Sequence, residues 1–354
     1  MKLAIVLPSW IGDVVMATPT LRALRNHFDS GTTITGIMRP YVAKVLAGTP
    51  WLDRTIYHDR RSRAPDLRPG RLIRRLREEN YDWTILMSNS FRTGMIAWLG
   101  GSSRRLGYVR YGRGMLLTDK LYPLRSQGKL VPVSAVDYYL DLAYYMGCPP
   151  EARRLELNVS SDDACAANVI WEDLGLDQSE KVIVLNTGGA FGTAKHWPSE
   201  YYVDLARRIT QDERHAVLVI CGPAERENAA AIEDQVRHPR VRSMARQNLD
   251  LGITKACIQK ADAMVTTDSG PRHIATAMNV PVVSLFGPID PRWTETYHPK
   301  SINHFRHLSC SPCGKRHCPV EHHRCMRDLS VDEIYRSVLR LVEEKVPQPV
   351  KVAA

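Results

Sequence analysis

Short, unbroken apolar runs alternate with amphipathic stretches along almost the whole chain, and this alternation constrains the fold more than any other feature. Leu3–Leu7, Val182–Asn186, Ala216–Cys221, Ala263–Thr267 and Val280–Leu285 are apolar on both faces. Such runs suit strands of a parallel sheet covered by helices on both sides. Between them lie stretches with helical periodicity, such as Tyr41–Ala47, Leu67–Glu79, Ser199–Thr210 and Leu251–Gln259. Strand, helix, strand in repeated order predicts an α/β fold with doubly wound parallel sheets. Arg104–Tyr108 reads as an edge strand, and Val331–Glu344 as the closing helix before a tail at Pro347–Ala354.

The pattern runs once, pauses at Cys148-Pro149-Pro150 and the polar segment to Ser161, and runs again. That pause reads as a linker. A length of 354 residues accommodates two cores. We therefore expect two Rossmann-like domains, residues 1–160 and 161–354, facing a central cleft. No apolar stretch is long enough to span a bilayer. The opening lacks a signal-peptide pattern, so the expectation is a cytoplasmic protein with reduced or metal-bound cysteines.

Charge is unevenly divided. Residues 1–160 hold 24 Lys/Arg against 13 Asp/Glu, a balance of +11, within a chain whose net charge is +10. The first half is thus suited to an anionic partner, or else carries a solvated basic face.

The turns after the strands hold the candidate chemistry, because ligands of open α/β sheets bind beyond the carboxyl ends of the strands. After Leu3–Leu7 comes Pro8-Ser9-Trp10-Ile11-Gly12-Asp13. Asp13 is either the cap of the next helix or a reactive carboxylate. No G-x-G-x-x-G pattern is present there, which disfavours a dinucleotide fingerprint. The loop from Asn186 to Pro198 is rich in Gly and Thr and carries Lys195. It suits phosphate oxygens, or is simply a flexible loop with an exposed lysine. Glu225, in Gly222-Pro223-Ala224-Glu225, is placed to accept from ribose hydroxyls or to complement a helix dipole. Asp268-Ser269-Gly270-Pro271-Arg272-His273 sits between strand and helix, where Ser269 and Gly270 can offer amides to a diphosphate and Asp268 can cap.

Taken in order, Trp10-Ile11-Gly12-Asp13, Lys195-His196-Trp197-Pro198, Gly222-Pro223-Ala224-Glu225, Asp268-Ser269-Gly270-Pro271-Arg272-His273 and Phe286-Gly287-Pro288-Ile289-Asp290-Pro291 resemble the ADP-heptose:lipopolysaccharide heptosyltransferases, glycosyltransferase family 9. Pro-Ser-Trp-Ile-Gly-Asp and the following Ala-Thr-Pro are most similar to the heptosyltransferase II branch. The resemblance covers most of the chain. It implies a GT-B fold and an inverting, metal-independent transfer of heptose from ADP-heptose to a phosphorylated Kdo–lipid A core acceptor. It implies Asp13 as general base and Lys195 facing the donor phosphates. It places Thr187, Gly188, Glu225, Asp268, Ser269, Gly270 and His273 at the donor, and gives Gly12 the task of leaving room for the acceptor.

With such an acceptor, Arg60, Arg61 and Arg63 become candidate contacts to its phosphates and carboxylates. Arg68, Arg71, Arg74, Arg75 and Arg77 would steer the chain to the anionic inner membrane, with peripheral association. Each is also readable as part of a solvated face. The spacing of Cys310, Cys313, Cys318 and Cys325, with His317, His322 and His323 among them, suits a structural zinc knuckle or reduced thiols in a compact loop. No cofactor is expected for catalysis. The same scaffold with another nucleotide sugar or glycan acceptor is one alternative. A nucleic-acid-binding protein with a zinc knuckle is another, but it lacks aromatics interleaved with the arginines, so nucleic acid is not an expected partner.

Overall fold

The apolar runs become the inner strands of two parallel sheets. In this computed structural model residues 1–343 are described, so the tail read at 347–354 and the last residue of the expected closing helix lie outside them. Two compact units form: residues 1–160 with 292–297, and 161–291 with the chain from 298 onward.

In the first unit the chain runs β1 (Lys2–Val6), α1 (Ile11–Met16), α2 (Thr18–His27), β2 (Thr33–Met38), α3 (Pro40–Leu46), β3 (Arg54–Tyr57), α4 (Pro69–Glu79), β4 (Trp83–Leu86), α5 (Phe91–Leu99), β5 (Arg104–Tyr108), β6 (Asp119–Leu121), a small hairpin β7 (Arg125–Ser126) and β8 (Lys129–Leu130), and α6 (Ala135–Tyr145). The main sheet has the order β3-β2-β1-β4-β5-β6. Its strands pair in parallel, with Val6 opposite both Ile37 and Leu86. The order reverses beside β1, which makes the end of β1 a topological switch point.

The second unit runs α7 (Ser161–Asp173), β9 (Lys181–Asn186), α8 (Ser199–Ile209), β10 (His215–Ile220), α9 (Arg226–Val236), β11 (Val241–Ser243), α10 (Leu251–Gln259), β12 (Ala263–Thr267), α11 (Gly270–Ala277), β13 (Val282–Phe286), β14 (Ser301–Phe305), α12 (Arg324–Arg327) and α13 (Val331–Glu343). Its sheet repeats the order, β11-β10-β9-β12-β13-β14. Ile183, Leu185, Val217, Val219, Val265 and Val283 line one face of it and pack under α8, α9 and α13.

Several local readings are corrected. Gly12 is not in a turn but is the second residue of α1, which ends before α2 restarts at Thr18 next to Pro19, a residue without an amide hydrogen. Arg104–Tyr108 is interior, since β6 pairs with it from Leu106↔Asp119 to Tyr108↔Leu121 and takes the edge. The segment after Pro150 is fastened to α2. Arg22 donates to Glu151 (3.2 Å), Glu156 (3.1 Å) and the carbonyl of Ala152 (2.8 Å), while Leu155 and Leu157 are buried.

Residues 292–297 belong with the first unit, where Ser134 Oγ donates to the Glu295 carbonyl (2.6 Å). No helix among the described residues is long and apolar enough to cross a membrane.

Candidate active site

Asp13 lies in the first turn of α1, directly beyond the switch point at β1. It is not the cap: that position is Trp10, which makes no side-chain capping bond. The half-buried carboxylate instead accepts a hydrogen bond from Tyr139 Oη of α6 at 3.1 Å. Burial, then the Asp13 charge, push the Tyr139 phenol well above its ordinary value, so it stays a donor.

Near the end of β4, Tyr138 and Arg113 both donate to Asn89 Oδ1 (3.1 and 3.0 Å). Arg113 is fully buried and also donates to the carbonyls of Tyr108 (2.9 Å) and Ser88. Among the described residues it has no carboxylate partner, and burial brings its guanidinium down to about 10. Sequence reading missed Tyr139, Asn89 and Arg113. An arginine inside an apolar loop and a tyrosine pair on a helix carry no signal until the helix is docked.

Arg60, Arg61 and Arg63 follow β3 and are exposed. The arginines of the next helix are partly engaged: Arg71 with Asp66 (3.6 Å), Arg74 with Glu78 (2.8 Å), and Arg77 with the carbonyl of Leu99 (2.7 Å).

In the second unit, the carboxyl ends of β9, β10 and β12 bring together Thr187, Gly188, Lys195, Glu225, Asp268, Ser269, Gly270 and His273. Asn186, the polar residue ending β9, organises them. Its amide donates to Gly188 O (3.1 Å), Thr266 Oγ1 (2.9 Å) and Ser269 Oγ (2.9 Å). Glu225 lies against both neighbouring glycines. A Cβ at Gly188 would meet its Cγ at 2.6 Å, and one at Gly222 would meet its Oε2 at 2.6 Å. Both positions therefore need glycine to admit that carboxylate.

Lys195 is not an exposed loop lysine. It is buried, and Nζ donates to the Asp268 carbonyl (2.7 Å) and carboxylate (2.6 Å). Two of its three protons are thus used. Asp268 is not the cap of α11, which is Ser269. Burial pushes the Asp268 carboxyl up, but Lys195 and then Arg272 (3.7 Å) outweigh it and hold it below the usual range. His273 is buried, and desolvation, then Arg272, bring it down to about 3, so it is neutral and its 4.0 Å approach to Asp268 is no ion pair. Two buried polar atoms here, Thr187 Oγ1 and His273 Nδ1, have no hydrogen-bond partner among the described residues. Such atoms are costly unless a ligand or water satisfies them. Trp197, by contrast, is core: it is buried and its Nε1 donates to the Leu329 carbonyl at 2.9 Å.

A structural zinc is not supported in the cysteine segment. Among the described residues no three His, Cys, Asp or Glu side chains converge to hold a metal ion, and all four thiols of the segment are free. Of the histidines, His322 turns its Nε2 to Cys310 Sγ at 3.8 Å. His317 meets Thr193 Oγ1 (3.0 Å), His323 Nε2 meets the Ala194 carbonyl (2.9 Å), and His322 accepts the Arg324 amide (3.0 Å). Cys325 is buried against Gly287 and belongs to the core.

Two parallel α/β units of the same strand order match the GT-B class of glycosyltransferases. The model of "Glycosyltransferase family 9 (heptosyltransferase)" matches residues 70–324, and the chain belongs to that family. It is 29% identical to lipopolysaccharide heptosyltransferase 2 of Escherichia coli K12, over 83% of this chain and 85% of that one. It is 25% identical to lipooligosaccharide heptosyltransferase 2 of Campylobacter jejuni, over 96% and 99%. The solved structure of E. coli ADP-heptose lps heptosyltransferase II superposes with a TM-score of 0.77 at 23% identity, covering 97% of this chain and 98% of that one. A family 9 glycosyltransferase from Veillonella parvula gives 0.80 at 20% identity, covering 96% and 97%.

Proposed function

We propose that this glycosyltransferase moves heptose from ADP-heptose to a phosphorylated Kdo–lipid A acceptor of the lipopolysaccharide inner core. The family and the heptosyltransferase 2 relatives support the sugar and the acceptor class. The observation that carries the donor side is the pair of buried, unsatisfied atoms Thr187 Oγ1 and His273 Nδ1, flanking the start of α11.

The reaction is a single inverting displacement. The acceptor hydroxyl oxygen attacks the anomeric carbon and its proton passes to the Asp13 carboxylate. The bond from that carbon to the β-phosphate oxygen breaks, and ADP leaves from the opposite face with the electron pair. Lys195 has one proton left for the diphosphate, and the first amides of α11 add their dipole. Asp268 holds Lys195 in place, and Glu225 accepts from the nucleoside ribose. These groups neutralise the leaving charge without a metal ion, so turnover is expected to be unchanged by excess EDTA. Gly12, with no side chain, leaves the acceptor space beside Asp13. The residues 1–160 are read as the acceptor half and 161–354 as the donor half.

A donor panel tests the sugar. With a Kdo–lipid A acceptor, nucleotide diphosphate should appear from ADP-heptose and not from UDP-glucose or GDP-mannose. Faster acceptor-dependent release from either of the others would overturn the reading. Replacing Arg60, Arg61 and Arg63 by Ser should raise the acceptor KM about tenfold or more, as lost charge-assisted contacts require. An unchanged KM would remove them from the acceptor site.

A further inference from the structure

We propose that the surface formed by α5 and by the loops following β5 and β6 docks on an anionic lipid bilayer. Along α5, Phe91, Met95 and Trp98 are exposed. Their spacing places them on one stripe, while Ile96 and Ala97 face the core. Gly94 borders the stripe. A Cβ there would meet Leu116 Cδ1 at 3.3 Å, so the short turn Arg113–Leu116 lies alongside, and its Met115 is 83% exposed.

Tyr111, 69% exposed, sits at a loop tip with φ +49°, a conformation bulky residues rarely adopt. The Arg110 guanidinium lies 5.0 Å over its ring. Tyr122 and Leu124 leave the end of β6, whose Leu121 pairs with Tyr108 at the end of β5. Both loops therefore emerge from the same end of the sheet, the end at which Asp13 follows β1. Phe91 opens α5 at that same end, and the stripe through Met95 to Trp98 runs back from it along the helix, so the exposed apolar side chains form one band that is unusual on a solvated surface.

Charge selects the occupant. Residues 88–130 hold eight Lys/Arg against a single Asp/Glu, and that acid, Asp119, is ion-paired with Arg104. Arg92, Lys120, Arg125 and Lys129 are exposed around the apolar residues. A second copy of the chain would bring like charge against like charge. An anionic headgroup layer accepts the basic rim while aromatic and Met side chains enter the interface. The helix expected from sequence to do this, α4, buries Leu72 and Leu76 and presents only polar residues outward, part of them paired with one another.

The proposal extends the reading of a lipid-borne acceptor, and it is measured on protein and vesicles alone, so the two can fail separately. The full chain is sedimented with phosphatidylcholine vesicles with and without phosphatidylglycerol. Binding should require phosphatidylglycerol and fall with salt. The variant Lys120→Ser/Arg125→Ser/Lys129→Ser should bind on the order of a hundredfold more weakly, at about fivefold per basic residue. The variant Tyr111→Ser/Trp98→Ser/Met115→Ser should also lose binding, with an unchanged circular dichroism spectrum and Tm. Equal binding to both vesicle types, no binding to either, or retained binding by the apolar variant would overturn the proposal. So would wild-type self-association that the apolar variant abolishes, because the surface would then be an interface between copies. If vesicle binding holds while the donor panel fails, only the reading of the sugar falls.

Discussion

A capping carboxylate and a reactive one differ, at Asp13, in where the side chain sits and what holds it. Its position in α1 leaves the cap to Trp10, and Tyr139 holds Oδ1 from α6. A phenol donor to a carboxylate fixes its orientation and stabilises its charged form. Tyr139→Phe should therefore lower kcat by roughly tenfold, near the low end of the worth of a hydrogen bond to a charged group. It should also move the acid limb of the kcat profile to higher pH, and leave the Kd for ADP unchanged. A steady-state pH series on the two proteins checks this, and a profile that does not move would reduce Tyr139 to a packing residue. His273 makes a different prediction. Its ordinary pKa is 6.5 and its folded value about 3. Between those values the unfolded chain holds a proton that the native chain does not, so stability rises with pH through that window and is lost as pH falls toward 3. His273→Gln should flatten the urea midpoint between pH 4 and 6.5, leaving a smaller slope from the other histidines that burial lowers, His298 at about 4 and also His58, His196 and His238. A midpoint slope equal to that of the parent would contradict a buried neutral imidazole.

At the scale of elements, the apolar runs were legible because a strand buried on both faces has no polar alternation to hide it. Ala263–Thr267 and Leu251–Gln259 stand in the structure at the bounds read from sequence. β6, β11 and β14 were not legible. Each lies at a sheet edge and is short, partly polar or incompletely covered, so Asp119-Lys120-Leu121 or Ser301–Phe305 resembles loop until a neighbour supplies the ladder. The turns of the second unit were legible as a set, since Gly, Thr and acidic residues after a buried strand are hard to explain by packing. Their wiring was not. That Lys195 is buried on Asp268, that Glu225 lies over Gly188, and that Asn186 ties β9 to β12 depend on three crossover connections closing to within hydrogen-bond distance. The cysteine segment was legible as a cluster, since burial and then the nearby Cys313, Cys318 and Cys310 push the Cys325 thiol up, but spacing along the chain did not show that Cys325 is also part of the core.

Across the whole molecule, the same strand order is built twice, with different side chains at the strand ends. The second unit places a buried cluster of Lys195, Asp268 and Arg272 at its switch region. The first carries the excess of 24 basic over 13 acidic residues and an aspartate at its own switch point. This division matches a reaction whose donor is recognised by dipoles and hydrogen bonds and whose acceptor is itself highly anionic. The central claim is that Asp13 accepts the acceptor's proton while the donor is held entirely by other residues. Its most direct test is acceptor-dependent ADP release from ADP-heptose by the parent chain and by Asp13→Ala, with calorimetric ADP binding on both. The account predicts a loss of turnover of about a thousandfold or more, within the range general-base removal gives, and an ADP Kd within about twofold, under 0.5 kcal/mol. Near-normal turnover by Asp13→Ala would contradict it.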